Sequence, residues 1–283
     1  MDVHVERRHV TIGRRSLSYL AAGPPSSAGL VVFLHAFPLN AAMWEPQLRA
    51  LPDGWAGLAP DFRGFGASDP DDAGLLPRVD AHLDDYAADV AALLDAVGAS
   101  RAALCGCSMG GYAALALLRR DAERLTGLLL ADTRATADSG AARLSRTAML
   151  DLLDREGASA VAAEMRTKLV GPTSSADRPD VLATIDGLMN RATASGIGYA
   201  ISRILNRPDA TANLASFRRP VAVVVGEEDA LTPPSEAASM AAAAQGSTLT
   251  TIPRAGHLSN LEAPDEFNAA LRAWLAAVGG VAA

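Results

Sequence analysis

Leu104-Cys105-Gly106-Cys107-Ser108-Met109-Gly110-Gly111 is the stretch on which the reading of this chain turns. A short apolar run, Ala102 to Leu104, leads into it and reads as a buried strand. Tyr112 to Arg120 leaves it and reads as a helix. A serine therefore stands at a sharp strand-to-helix turn, with glycine two positions before it and two after. Gly-x-Ser-x-Gly in that setting is the pattern of a nucleophile elbow. So tight a turn strains the serine backbone and exposes its hydroxyl above the sheet. Side chains at 106 and 110 would collide across it, so both positions must be very small. The following helix aims its positive N-terminal end at the serine, where negative charge would develop. Glycine-rich strand-to-helix turns are also ordinary in α/β proteins, so the remaining sequence has to decide.

A chain of 283 residues, 49% hydrophobic, is long enough for one large domain, or one domain with an inserted piece. The net charge is −7, and the basic residues form only isolated pairs: Arg7-Arg8, Arg14-Arg15, Arg119-Arg120 and Arg218-Arg219. Nucleic acid is not an expected partner. Met1 to Glu6 is mixed polar without an apolar core, so no signal peptide is expected. No apolar run approaches the ~18 residues of a membrane span. A soluble cytoplasmic protein is the expectation, with the oligomeric state left open. Cys105 and Cys107 read as small buried residues, since two cysteines alone make a poor metal site.

Residues 8–22 read as two edge strands with a turn at Gly13-Arg14, and residues 23–29 as a surface loop. Leu30 to Leu34 is a continuous apolar run, hence a strand covered on both faces, and it ends in His35-Ala36-Phe37-Pro38. A helix near 43–51 and a strand at 55–60 precede the glycine-punctuated loop Asp61-Phe62-Arg63-Gly64-Phe65-Gly66-Ala67-Ser68-Asp69. An amphipathic helix over 82–97 closes at Gly98. A buried strand at 128–131 ends at Asp132. From 134 to about 208 no strand-like run occurs; helices are expected near 140–155, 157–169, 178–194 and 196–206. Alternation resumes with a strand at 221–225, a helix near 234–244, a strand near 247–252 and a last helix at 264–277. The fold class is therefore α/β, a mostly parallel sheet with helices on both faces.

In such sheets ligands sit beyond the C-terminal ends of the strands. Asp229 follows the strand at 221–225 and His257 the strand at 247–252, so Ser108, Asp229 and His257 all occupy post-strand loops, in that chain order. A serine hydroxyl needs a base to become a nucleophile near pH 7, and histidine is the natural base there. An aspartate would fix the histidine tautomer and stabilise the imidazolium. Other candidates stand beside these. His35 also follows a strand, as a second possible base or as support for its own loop. Asp132, Glu227 and Glu228 are alternatives for the orienting acid. Asp61 and Arg63 read as a buried structural pair, Trp44, Trp55 and Trp274 as packing residues, and His4, His9 and His82 have no catalytic context.

Taken together, His35-Ala36-Phe37-Pro38, Asp61 to Ser68, Gly106 to Gly111, Gly226-Glu227-Glu228-Asp229 and Gly256-His257 resemble the α/β-hydrolase superfamily over nearly the whole chain. The stretch His257 to Glu262 and the overall layout are similar to its esterase, enol-lactonase and cofactor-free perhydrolase branch. The usual His-Gly of the first motif is His35-Ala36 here. The resemblance implies an eight-stranded-type sheet, a core made of residues 1–133 and 212–283, and a helical cap over 134–211. It implies an oxyanion hole formed by the backbone N–H groups of Phe37 and Met109. Within the cap, Met149, Met165, Met189 and Tyr199, with Leu258 beside the base, are candidates to line an acyl pocket; the alternative is that they pack a local core.

The expected activity is that of a carboxylesterase- or lactonase-like serine hydrolase, with Ser108 as nucleophile, His257 as base, Asp229 as orienting acid and no metal or organic cofactor. A serine at 108 disfavours branches that need a carboxylate nucleophile. The same triad also serves carbon–carbon bond hydrolysis, peptide hydrolysis or perhydrolysis, and proteins of this fold include slow or non-catalytic ligand binders.

Overall fold

The computed structural model describes residues 3–24, 29–70 and 78–281. Part of the loop read at 23–29, residues 25–28, lies outside them. Among the described residues eight strands form one sheet: β1 (Val5–Ile12), β2 (Arg15–Ala22), β3 (Gly29–Leu34), β4 (Trp55–Pro60), β5 (Ala102–Cys107), β6 (Leu125–Ala131), β7 (Val221–Gly226) and β8 (Thr248–Ile252). Their order across the sheet is β1-β2-β4-β3-β5-β6-β7-β8. β2 pairs antiparallel with both β1 and β4, and every pairing from β4 to β8 is parallel.

Burial follows position in the sheet. Every residue of β5 and β7 is buried, as the continuous apolar runs require of central parallel strands. The edge strand β8 buries Ile252, while Thr248 and Leu249 stay exposed. β-branched threonine suits such a half-solvated edge.

Outside the β6–β7 connection the α-helices are α1 (Glu45–Arg49), α2 (Asp84–Ala96), α3 (Met109–Asp121) and α10 (Pro234–Ala243), with α11 (Ser259–Glu262) and α12 (Pro264–Val281) after β8. α12 shows how sequence sets packing: Phe267, Leu271, Trp274, Leu275 and Val278 are buried at helical spacing. Pro264 opens α12, with Asp265 and Glu266 in its first turn. The Trp274 indole N–H donates to the Pro220 carbonyl at 3.2 Å.

Between β6 and β7 the chain is helical: α4 (Gly140–Glu156), α5 (Ala158–Leu169), α6 (Pro172–Asp177), α7 (Pro179–Met189), α8 (Ala194–Leu205) and α9 (Thr211–Ser216). The single helix expected at 178–194 is shorter here, because two residue types interrupt it. Pro179 disfavours helical geometry at the residue before it, so Arg178 sits at φ −128°, ψ 73° and separates α6 from α7. Thr193 caps α8, its Oγ1 accepting from Gly196 N–H at 2.9 Å, a cap worth about 1 kcal/mol.

The expected Asp61–Arg63 pair is replaced by two others. Asp61, fully buried, accepts from Arg7 Nη1 at 2.6 Å and from the N–H groups of Ala41 and Ala67 at 2.8 and 3.0 Å. Arg63 instead reaches Asp89 with Nε at 2.5 Å and Nη2 at 2.9 Å. The chain turns at Arg63-Gly64, with Phe65 N–H donating to the Phe62 carbonyl at 2.9 Å, and Asp61 and Arg63 each find a partner on a separate element.

Candidate active site

Ser108 links β5 to α3 with φ 52° and ψ −115°, a left-handed conformation for a residue bearing a side chain. Such strain costs of order 1–3 kcal/mol and survives only where surrounding bonds impose it. They do: Ser108 N–H donates to the Ala131 carbonyl at 3.0 Å, and the Ser108 carbonyl accepts from Tyr112 N–H at 3.1 Å and Thr133 Oγ1 at 2.8 Å. The two glycines are spatially required. A Cβ on Gly106 would lie 2.4 Å from the Gly110 carbonyl oxygen, and one on Gly110 would lie 1.9 Å from that of Leu34.

The elbow meets two loops from neighbouring strand ends. His257, buried after β8, has Nε2 2.8 Å from Ser108 Oγ and Nδ1 2.8 Å from Asp229 Oδ2. Asp229, after β7, is held on both oxygens. Oδ1 accepts from the N–H groups of Leu231 and Thr232 at 2.8 and 2.9 Å, and Oδ2 accepts from Thr232 Oγ1 at 2.6 Å. Burial works against charge on both residues, but each supplies the other's counter-charge. Their proximity raises the histidine above its ordinary 6.5 and lowers the aspartate below 3.8. One continuous chain of hydrogen bonds thus runs from a buried carboxylate through an imidazole to a serine hydroxyl.

A model of the alpha/beta hydrolase family matches residues 31–270, which includes all three of these residues. The chain belongs to that family.

Relatives agree in extent as well as in fold. 3-Oxoadipate enol-lactonase 2 of Acinetobacter baylyi is 28% identical over 259 residues, covering 91% of this chain and 92% of its own. A thermophilic esterase from Thermogutta terrifontis, solved with malate bound, superposes with a TM-score of 0.87 at 34% identity, over 97% of this chain and 99% of the esterase. An enol-lactonase from Burkholderia xenovorans LB400 gives a TM-score of 0.85 at 25% identity, over 95% and 100% of the two chains.

Against this alpha/beta hydrolase framework the remaining candidates separate by contact. Glu228 accepts from Thr173 N–H and Oγ1 at 2.9 and 2.5 Å. Glu227 accepts from Arg254 N–H at 3.3 Å. Asp132 lies under the site: Oδ1 accepts from Gly226 N–H at 2.9 Å, and Oδ2 from Ser259 N–H at 3.2 Å and Ser259 Oγ at 2.6 Å. Burial, reinforced by the nearby charge of Asp229, pushes the Asp132 carboxyl up to about 8. His35 is a bridge between loops: Nδ1 faces the Ala36 carbonyl at 2.9 Å and Nε2 accepts from Phe62 N–H at 3.0 Å. Burial lowers it to about 4, so it is neutral at pH 7. Cys105 and Cys107 are free and buried.

Phe37, in the loop after β3, lines the cavity that holds Ser108 and His257. Met109 is the first residue of α3, where a backbone N–H has no carbonyl one turn back within the helix. The cavity measures about 180 Å³, somewhat more than the roughly 150 Å³ that accommodates a benzene-sized molecule. Met149 of α4 and Met165 of α5 line it. Met189, Tyr199 and Leu258 do not, and all three are buried in packing. Tyr199 faces the Arg203 guanidinium at 5.6 Å, and Leu258 N–H donates to Glu262 Oε1 at 3.1 Å. Their apolar character marked burial, which packing and pocket share.

Sequence reading passed over Thr232 and the polar lining residues Arg134, Asp138, Ser145, Arg146 and Lys168. Thr232, three residues after Asp229 in the same loop, carried a local signal, since a hydroxyl at that spacing reaches back to a carboxylate. The basic lining had none, because it converges from separate elements.

The helices between β6 and β7 also touch the loops that carry Asp229 and His257. Glu262 Oε2 accepts from Gly171 N–H at 2.9 Å, beside the Thr173–Glu228 bonds. A Cβ on Gly256 would lie 2.1 Å from the Gly171 nitrogen, so residues 170–173 lie in direct backbone contact with the His257 loop. Among the described residues no helix is long and apolar enough to cross a membrane.

Proposed function

We propose that this chain is a serine hydrolase that cleaves a small carboxylic ester or lactone through an acyl-enzyme. The observation that carries the reading is the unbroken Asp229–His257–Ser108 chain, with both links at 2.8 Å, opening on a cavity of about 180 Å³. Ser108 Oγ attacks the carbonyl carbon as its proton passes to His257 Nε2. The carbonyl oxygen becomes negative and rests on the N–H groups of Phe37 and Met109, each such donor being worth on the order of 10²–10³ in rate. The acyl–oxygen bond then breaks, and His257 returns the proton to the leaving alcohol. Water attacks the acyl-serine, giving one proton to His257. The free acid departs as that proton returns to Ser108. These steps call on no metal or organic cofactor. Residues 134–211 act as a cap, with Met149 and Met165 against the acyl group.

The ester chemistry of the enol-lactonase and esterase relatives supports the substrate class. The test is steady-state turnover of p-nitrophenyl esters of increasing acyl length, beside Ser108→Ala. Turnover should be greatest for short acyl chains and collapse in the variant. Undiminished turnover in Ser108→Ala would overturn the mechanism, and a single burst without turnover would mark a ligand-retaining protein instead.

A further inference from the structure

The cavity over Ser108 is basic, although the whole chain carries a net charge of −7. Arg134, Arg146 and Lys168 line it, with Asp138 as the one carboxylate among the lining residues besides the neutral wall. Each of these charges has a different degree of compensation. Asp138 is taken up by Arg207, whose Nη1 donates to Oδ1 at 2.7 Å with both side chains almost fully buried. Lys168 pairs with Glu164 at 2.6 Å. Arg134 donates from Nη2 to the Leu231 carbonyl, and its Nη1 lies 3.7 Å from Glu236.

Arg146 is the exception. Its closest ion contact among the described residues is Nε to Asp138 Oδ2 at 3.6 Å, too long for a hydrogen bond; Arg207 takes up Oδ1 of the same carboxylate, and Oδ2 is buried with no hydrogen-bond partner. The side chain is only about a fifth exposed, at 22%. A planar fork of N–H donors is therefore held at the wall of a small cavity, largely out of water, with one loose ion pair to Asp138 and no hydrogen bond to a described residue. Guanidinium forks match planar carboxylates in two-point geometry. The cavity leaves room for little beyond a benzene-sized acyl portion.

We infer that Arg146 is an anion anchor, and that the substrate is an ester or lactone bearing a free carboxylate, which Arg146 grips while Ser108 attacks the scissile carbonyl. This rests on the hydrolase reading above and adds the substrate's charge to it. Arg134 and Lys168 bias the cavity toward the same sign, and Arg146 supplies the directional contact. The net negative charge of the protein does not oppose this, because a cleft lined by one sign of charge governs the field its ligand meets.

Monomethyl succinate and methyl 4-methylpentanoate have nearly the same shape, but one ends in a carboxylate and the other in two methyl groups. Acid release from each, followed by pH-stat, gives a ratio of kcat/KM values. The parent should favour monomethyl succinate. Arg146→Ala should lower the ratio by about 10- to 100-fold, the range for a lost hydrogen-bonded charge contact, mostly through KM. Arg146→Lys should fall between, keeping charge without the fork. A ratio unchanged in both variants would overturn the inference. Binding supplies an independent reading: calorimetry of monomethyl succinate on Ser108→Ala should show heat that is lost in Ser108→Ala/Arg146→Ala. If esters are not turned over at all, the hydrolase reading falls, and the calorimetric comparison alone decides whether Arg146 holds a carboxylate. Equal binding in both proteins would overturn it.

Discussion

Thr232 Oγ1 donates to Asp229 Oδ2 at 2.6 Å and stands 3.2 Å from His257 Nδ1. The threonine hydroxyl therefore shares the carboxylate oxygen that faces His257 Nδ1. Thr232→Val keeps the shape and removes the donor. Asp229 then divides its charge among fewer partners and holds the imidazolium more strongly. The acid limb of kcat/KM should move to higher pH, and kcat should fall roughly tenfold, in line with about 1–2 kcal/mol for such a bond. Thr232→Ser should restore both. A pH profile identical to the parent's would show that the hydroxyl merely fills space.

The pH dependence has a definite sign. His257 must be neutral to accept the Ser108 proton. Burial disfavours its charged form, but Asp229 outweighs burial and its pKa lies above the ordinary 6.5. Activity should therefore fall as pH drops through a midpoint above 6.5. Asp229→Asn removes the counter-charge, so the midpoint should shift down. By analogy with the serine-protease triad, kcat should drop on the order of 10⁴-fold. Stability follows the same linkage: the raised histidine contributes below its unfolded pKa, and that contribution is lost as pH rises through the folded value. Urea midpoints of parent and His257→Ala across pH 5–9 would measure it.

Asp132 and Asp229 lie close together and should behave oppositely. Asp132 keeps its proton up to about 8 in the folded chain, against 3.8 in the unfolded one. Between these values the folded state binds the extra proton, so this group makes stability decline as pH rises. Asp132→Asn should flatten that slope, because an amide does not titrate in this range, while its oxygen can still accept from the Ser259 hydroxyl. Turnover in Asp132→Asn should stay within about tenfold of the parent, against the far larger loss in Asp229→Asn. A large loss in Asp132→Asn with near-parent turnover in Asp229→Asn would make Asp132 the orienting acid instead.

Gly110→Ala tests the elbow itself. The added methyl would sit 1.9 Å from the Leu34 carbonyl oxygen, a backbone atom that cannot step aside without moving β3. A loss above about 3 kcal/mol is expected, read as a lowered urea midpoint with little soluble native protein. Gly140→Ala, where a Cβ meets nothing within 4 Å, is the matched control and should leave the midpoint nearly unchanged.

What the sequence made legible was local or ordered along the chain. The elbow announced itself through Gly106, Ser108 and Gly110, because a sharp strand-to-helix turn restricts those positions by sterics alone. Asp229 and His257 were found by their place after strands, which a parallel sheet converts into spatial neighbourhood. Contacts between distant loops were not legible. Arg7 lies 54 residues from Asp61 in the sequence, and nothing local distinguishes it from Arg63, which pairs with Asp89 instead. Pocket membership failed for the same reason. Met165 and Met189 are both buried methionines on helices between β6 and β7, and only the packing of those helices puts one at the cavity and the other away from it.

The contact between residues 170–173 and the loops around Glu228, Gly256 and Glu262 divides the helical stretch between β6 and β7 into two inheritances. The stretch before it, α4 and α5, supplies Arg146, Met149, Met165 and Lys168 to the cavity wall. The short crossing after it is stitched to the loops that hold Asp229 and His257. Chimeras that exchange residues 140–169 between relatives would therefore transplant the chamber's lining while leaving the stitching whole. A junction placed at Gly171 would unpick it. Diversification of what such a protein accepts has a natural reading frame, which begins after β6 and stops one residue short of that seam.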